Sequence, residues 1–247
     1  MEARPLPPRI LESLHAARPT GPRAVRAHRV LGVRPVSATA FVLRFTREGL
    51  AFTPGQWINL GLPRHREQRE YSVFSSPADD WLEVLVKEIP GGALSPLLRR
   101  LAPGDTVEVD GPHGSFTLVE GGRDAPRLLF CATGTGVSPF HCMARSRPDL
   151  DFRLLHGVRS AAELYEHAAF PAARTVACVS GAGASGGALP GGRARHPGRL
   201  TDWLRENPAD PASWCYLCGN SDMIYEAYGI LAGQGVPRSQ IFAEVYF

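Results

Sequence analysis

Arg69-Glu70-Tyr71-Ser72 reads as a β-strand running on into Val73-Phe74, with Arg69, Tyr71 and Val73 on one face and Glu70, Ser72 and Phe74 on the other. An Arg and a Tyr two apart on one face suit a ligand with both an anionic and a flat aromatic part. The guanidinium fork matches phosphate oxygens, and the phenol ring offers a stacking surface. Taken alone, the same four residues describe an ordinary strand with an exposed Arg and a half-buried Tyr. The surrounding chain decides between the two.

From Val25 to about Leu118 the sequence is a series of short alternating segments broken by turns. Thr39 to Phe45 sets Ala40, Val42 and Arg44 against Phe41, Leu43 and Phe45, with most apolar bulk on the second set. Pro54-Gly55 marks a turn before Trp57 to Leu62, and Trp81 to Ile89 and Thr106 to Val109 continue the series. This pattern predicts an antiparallel barrel. One helix interrupts it over Leu94 to Leu101, opened by Ser95-Pro96 and ended by Pro103-Gly104. Its start is an anion-binding candidate as well as a simple Ser cap.

From Arg127 the rhythm changes to apolar runs separated by helical patterns. Strands are expected at Arg127–Cys131, Phe152–Leu155, Thr175–Val179, Tyr216–Cys218 and Ile241–Val245, and helices at about Pro139–Arg145, Ala161–Ala168, Leu200–Arg205 and Asp222–Gly233. That alternation predicts about five parallel strands with helices on both faces. The expected organisation is an N-terminal arm over 1–22, an all-β barrel domain over 23–122 and an α/β domain over 123–247. The border falls in the polar stretch Glu120 to Pro126. After the first α/β strand comes Thr133-Gly134-Thr135-Gly136-Val137-Ser138-Pro139, where two glycines let backbone approach a pyrophosphate ahead of a helix that Pro139 opens.

The 247 residues carry 27 Lys and Arg against 24 Asp and Glu, and no basic cluster is interleaved with aromatics, which argues against nucleic acid as a partner. Cys131, Cys142, Cys178, Cys215 and Cys218 are odd in number and lie mostly in apolar runs, as buried free thiols of a reducing compartment do. Cys215-x-x-Cys218 has no second pair to complete a zinc or iron–sulfur site, so no metal is expected and any iron–sulfur partner is a separate protein. No run approaches a membrane span and no signal-like apolar segment follows the N-terminus; the expected location is cytoplasmic.

In order, the chain presents Phe52-Thr53-Pro54-Gly55-Gln56-Trp57, Arg69 to Ser72, Gly92-Ala93-Leu94-Ser95, Gly111-Pro112-His113-Gly114, Gly134-Thr135-Gly136, Cys218-Gly219-Asn220 and Glu244-Val245-Tyr246-Phe247. Over nearly the whole stretch from Val25 to Phe247 it resembles the ferredoxin–NADP reductase family, whose flavin motif is Arg-x-Tyr-Ser. The resemblance implies a Greek-key FAD-binding barrel of about six strands followed by a parallel-sheet NAD(P)-binding domain. It assigns Arg69, Glu70, Tyr71 and Ser72 to the flavin, with Gly92, Ala93, Leu94 and Ser95 holding the pyrophosphate opposite Arg69. Leu85, Val86 and Lys87 match the segment along the adenylate side of FAD, and two diphosphate anchors favour FAD over FMN. Thr133, Gly134, Thr135 and Gly136, with Cys218 and Gly219, match the nicotinamide dinucleotide site. Arg159 and Arg199 match two basic positions of NADPH-dependent relatives. After Ser180, however, Gly181 stands where those relatives carry an Arg, with Arg193 and Arg195 as candidate substitutes. NADPH is favoured and NADH stays open.

The resemblance also implies the chemistry, hydride transfer between nicotinamide C4 and flavin N5. Ser72 matches the residue beside N5, Cys218 the thiol flanking the nicotinamide, and Glu244 the acid near that Ser. The terminal ring that stacks on the flavin is Tyr246 or Phe247, and the register of Glu244 selects Tyr246. Electrons would pass singly to ferredoxin or flavodoxin, docking transiently on a monomeric enzyme near Arg64, His65, Arg66, Arg99 and Arg100. The alternatives are a reductase component of an oxygenase, a ferric or flavin reductase, and a non-catalytic flavin-binding regulatory module.

Overall fold

The computed structural model describes residues 25–119, 127–181, 189 and 191–246. The arm expected over 1–22, the border at 120–126, residues 182–188 of the Gly/Ala-rich loop and Phe247 lie outside the described residues.

Six strands form the first sheet: β1 (Arg26–Pro35), β2 (Ala40–Thr46), β3 (Trp57–Gly61), β4 (Gln68–Ser72), β5 (Trp81–Lys87) and β6 (Thr106–His113). They run antiparallel in the order β4-β3-β6-β1-β2-β5. The chain leaving β4 then closes the barrel onto β5: Val73 bridges to Val84, and the Phe74 N–H donates to the Glu83 carbonyl at 2.8 Å. Phe41, Leu43 and Phe45, the heavier set of β2, fill the barrel with Ile58, Leu60, Val84 and Val107. Each such fully buried side chain contributes about 1.5–3 kcal/mol relative to exposure.

The second sheet is parallel, with β7 (Leu128–Thr133), β8 (Phe152–Val158), β9 (Thr175–Val179), β10 (Ala194–Pro197), β11 (Trp214–Asn220) and β12 (Ile241–Tyr246) in the order β10-β9-β8-β7-β11-β12. The chain enters at the centre, works outward to β10, then crosses back to β11. The switch point of the sheet therefore lies at the carboxyl ends of β7 and β11, where ligands bind in such sheets.

Three expectations are corrected. The barrel helix, α1, spans only Ser95–Arg99, and the Ser95 hydroxyl accepts from the Ile89 N–H at 3.0 Å instead of capping. The parallel sheet has six strands; β10 carries no apolar repeat, since Ala194 and Pro197 are exposed at the sheet edge. No α-helix forms over Ala161–Ala168, only 3-10 turns at Ala161–Glu163 and His167–Ala169. Ser160 and Glu163 close the first turn reciprocally, Glu166 is left-handed at φ 51°, and Tyr165, His167 and Phe170 are drawn separately into the core. The remaining helices are α2 (Ser138–Ser146), α3 (Leu200–Glu206) and α4 (Ser221–Gly233).

The two sheets share a core. Ala40, Val42, Phe74 and Leu85 of the barrel pack with Phe116, Phe130, Phe140 and Tyr216. Ion pairs also cross the seam, Lys87 to Glu163 at 3.3 Å and Arg145 to Asp79 at 2.8 Å. All five cysteines are buried free thiols. Among the described residues no helix is long and apolar enough to cross a membrane.

Candidate active site

The alternation read in β4 determines what meets at the seam. Tyr71 sits opposite Ile58 and packs on the barrel core, while Ser72 and Phe74 face the second sheet. Ser72 is 3% exposed, and its hydroxyl donates to Glu244 Oε1 at 2.9 Å. It also lies 2.5 Å from the Tyr246 hydroxyl. Ser72 has one proton, so while it donates to the carboxylate the phenol must donate to it. Glu244 and Tyr246 are two apart on β12 and share a face, and the β11 register sets Cys218 beside Glu244 with its sulfur 4.0 Å from Oε1. Three strands from two sheets thus bring Ser72, Cys218, Glu244 and Tyr246 together.

Burial dominates the electrostatics here. It pushes the Glu244 carboxyl up to about 7, with the Ser72 hydrogen bond opposing and the Glu70 charge adding to the rise. It also holds the Cys218 thiol and the Tyr246 phenol well above their ordinary values, so both stay neutral donors. The cluster therefore contains one group, Glu244, that changes protonation near neutral pH.

At the switch point the strand ends interlock through glycine. A Cβ on Gly136 would stand 2.4 Å from the Cys218 carbonyl oxygen, and one on Gly219, at φ +127°, would stand 2.3 Å from Thr133 Oγ1. That Thr133 hydroxyl accepts from the Asn220 N–H at 2.9 Å. Gly134, at φ +52°, differs: a Cβ there would meet nothing within 4 Å, so the turn borders open space. Ser138 does not cap the following helix; its hydroxyl donates back to the Thr135 carbonyl at 2.7 Å.

The remaining predicted residues are more scattered. Arg69 is exposed and ion-paired with Glu67 at 2.6 Å, a surface pair of about 0–1 kcal/mol that a diphosphate can displace. The side chains of Leu85, Val86 and Leu94 are buried in the cores, so only their backbone can face a ligand. Gly92 and Ala93 lie in the loop between Ile89 and Ser95. Arg159 and Arg199 are exposed near the ends of β8 and the start of α3, and the Ser180 hydroxyl donates to the Val158 carbonyl at 3.3 Å. Gly181 leaves no room for a side chain, since a Cβ would lie 2.3 Å from the Arg159 carbonyl oxygen. Arg193 is not a free substitute: its guanidinium donates to the His167 carbonyl at 2.7 Å. Arg99 is likewise engaged, with Glu88 at 3.1 Å, whereas Arg64, Arg66 and Arg100 are exposed.

Sequence reasoning missed three buried histidines beside the site. His141 Nδ1 bonds the Phe74 carbonyl at 2.9 Å, with the ring stacked on Phe74 at 3.7 Å. His156 joins the Gly134 carbonyl to His167. A His in an otherwise apolar strand was the one available signal.

Residues 33–118 match the family described as the oxidoreductase FAD-binding domain. A ferredoxin–NADP reductase B of Sorangium cellulosum is 33% identical over 236 residues, covering 88% of this chain and 96% of that protein. This chain belongs to the ferredoxin–NADP reductase family. The solved Neisseria gonorrhoeae ferredoxin–NADP+ reductase, with bound FAD and NADP, aligns with this family member at TM-score 0.77 and 25% identity, over 90% of this chain and 99% of that one. The propane 2-monooxygenase reductase component of Mycolicibacterium goodii is 31% identical over 209 residues, 79% of this chain, which spans 59% of that longer protein. As a member of the ferredoxin–NADP reductase family, the chain is a flavoprotein oxidoreductase whose cofactors are FAD and NAD(P)H. Its residues fit both groups. β5 ends the sheet order, so its outer backbone past Val84 is an open edge near the exposed Lys87, and Gly134 faces open space at the switch point.

Proposed function

We propose that this chain oxidises NADPH and delivers the electrons singly to a separate carrier, ferredoxin or flavodoxin. The observation that carries the reading is the Tyr246–Ser72–Glu244 chain beside Cys218, set where the flavin strand meets the switch point. When bound, FAD accepts hydride from the nicotinamide and returns electrons one at a time. The protein's part is binding, orientation and proton handling. Arg69 and the Gly92–Ser95 segment hold the flavin diphosphate, and Tyr71 packs beside the ring system. The Gly134–Gly136 turn receives the dinucleotide, Arg159 and Arg199 select the 2′-phosphate, and the small, neutral Cys218 leaves room for the nicotinamide. Tyr246 covers the site and excludes water. Glu244 takes up or releases a proton at Oε1, relayed through Ser72 Oγ near neutral pH. The enzyme works as a cytoplasmic monomer, and its carrier docks through exposed charge at Arg64, Arg66 and Arg100.

The reading is tested by identifying the flavin in purified protein and titrating it anaerobically with NADPH and NADH. Bleaching of the flavin band at lower NADPH than NADH supports it; FAD-loaded protein that neither cofactor reduces overturns it. A second reading, reductase component of an oxygenase, is favoured by the propane monooxygenase relative. Faster turnover with an oxygenase component than with ferredoxin or flavodoxin selects it.

A further inference from the structure

His156 is fully buried on β8, in register with Ala132 on β7, so its ring lies under the turn that β7 leads into. Its Nε2 is 2.8 Å from the Gly134 carbonyl oxygen, and its Nδ1 is 2.8 Å from Nε2 of His167. A carbonyl only accepts, so His156 Nε2 carries the proton, and a neutral ring then accepts at Nδ1. His167 must in turn donate from Nε2, which leaves its Nδ1 as a bare lone pair. That atom is buried with no partner among the described residues. Burial keeps both rings neutral, holding His156 down to about 4 and His167 to about 3, where Arg193 also opposes a second proton. Every proton in the chain is thereby assigned, and its direction is fixed toward Gly134.

Two buried histidines with an orphaned nitrogen are a poor way to fill a core, since apolar side chains of that volume would cost less. What the pair accomplishes is local to the turn. In a trans peptide the carbonyl of Gly134 and the N–H of Thr135 point in opposite directions. Holding that carbonyl inward therefore directs the Thr135 N–H outward, away from β8. Thr135 is half-exposed and is the second residue of the 3-10 turn Gly134–Val137, where the first N–H groups lack partners within the turn. Gly134, with no Cβ and a left-handed φ of +52°, offers little resistance to rotation of this peptide. Without the tie, the only hold left on that carbonyl is the i→i+3 bond from the Val137 N–H in the 3-10 turn, at the frayed first residue of a short element. The peptide then turns its carbonyl outward more readily, presenting negative charge where an anion must sit.

We propose that His156, backed by His167, is a positioning pair that locks the Gly134–Thr135 peptide with its N–H presented to the anionic diphosphate of the nicotinamide dinucleotide. The pair acts by orientation and brings no charge. This rests on the assignment of the Gly134–Gly136 turn to that cofactor.

The test is calorimetric binding of NADP+ and NAD+ to FAD-loaded protein, comparing the parent with His156→Leu, His156→Gln and His167→Leu. His156→Leu keeps bulk and loses the donor. It should weaken both dinucleotides by about tenfold or more, and by similar factors, because the diphosphate is common to both. The amide of His156→Gln can donate to the same carbonyl and should recover most of the loss. His167→Leu frees His156 to take the other tautomer and should weaken binding by a smaller factor, which keeps the pair testable should His156→Leu fail to fold. Parent-like binding by His156→Leu or by His167→Leu overturns the inference, as does a Gln variant no better than Leu. A parent that binds neither dinucleotide defeats the functional reading itself.

Discussion

The Ser72 hydroxyl donates to the Glu244 carboxyl across the seam between two sheets, at 2.9 Å, although 172 positions separate them in sequence. One partner ends β4 and the other lies two residues before Tyr246. Any movement between the sheets at this point alters the hydrogen bonding of a group that titrates near neutrality. The shared core of Phe74, Leu85, Phe130 and Tyr216 opposes such movement.

Glu244 gives a signed pH dependence. Its carboxyl rises from an ordinary 4.5 to about 7 on folding, chiefly through burial. A carboxyl that binds its proton more tightly when folded supports the fold fully below its unfolded pKa, and that support is lost as pH rises through 7. Glu244→Gln should therefore melt higher than the parent above neutral pH, with the gap closing toward pH ~5. Melting curves taken across that window check it; parallel curves for the two proteins refute the raised carboxyl.

Arg69 is the exposed cation of β4, and in the proposed reading it faces the FAD diphosphate. Arg69→Ala should lose a charge-assisted contact to the FAD diphosphate of roughly 1.5–3 kcal/mol, about ten- to a hundredfold in affinity. Flavin content after dialysis, and a measured Kd for re-added FAD, read this directly. A variant that retains full, tightly held FAD removes Arg69 from the site.

In the proposed reading coenzyme choice falls to Arg159 and Arg199, because Gly181 cannot carry a side chain against the Arg159 carbonyl. Arg159→Ala and Arg199→Ala should each raise the KM for NADPH roughly tenfold and leave that for NADH nearly unchanged, as loss of one phosphate contact predicts. Gly181→Arg should destabilise the protein by about 1–3 kcal/mol. Equal effects on both coenzymes would place the arginines outside the 2′-phosphate site.

Much of this arrangement is legible in the sequence because it is local. The two-residue period of Phe41, Leu43 and Phe45 gives the barrel wall, and the spacing of Glu244 and Tyr246 puts them on one face of β12. The glycines at 134 and 136 mark the turn at the switch point, and the structure separates their reasons: one borders open space, the other fits against β11. Features set by tertiary packing are not legible. β10 has no apolar pattern because it is a short edge strand, and the segment after Ser160 fails as a helix because Tyr165, His167 and Phe170 each seek a different part of the core. The tie from His156 to Gly134 depends on parallel register, which no single segment encodes.

The C-terminus gives the last prediction. Tyr246 lies in β12, paired with Asn220 at the end of β11, and its hydroxyl reaches Ser72. Its ring packs against the shared core beside the end of β11, and in the proposed reading it occupies the place an incoming nicotinamide must take beside Ser72. The hydrogen bond to Ser72 and a stacking contact of about 0.5–1.5 kcal/mol are together weak enough for a cofactor to displace. Displacement lowers apparent affinity, because only the fraction of molecules with the ring withdrawn can bind. Removing the ring should therefore tighten binding. It should also slow release of the oxidised cofactor, since nothing remains to compete for its place. Deleting residues 246–247 is expected to lower the Kd for NADP+ several-fold and reduce kcat, with FAD content unchanged. Calorimetry and stopped-flow release rates on the FAD-loaded proteins separate the two effects. A truncated protein that binds NADP+ no more tightly than the parent would show that Tyr246 only closes the core and gates nothing.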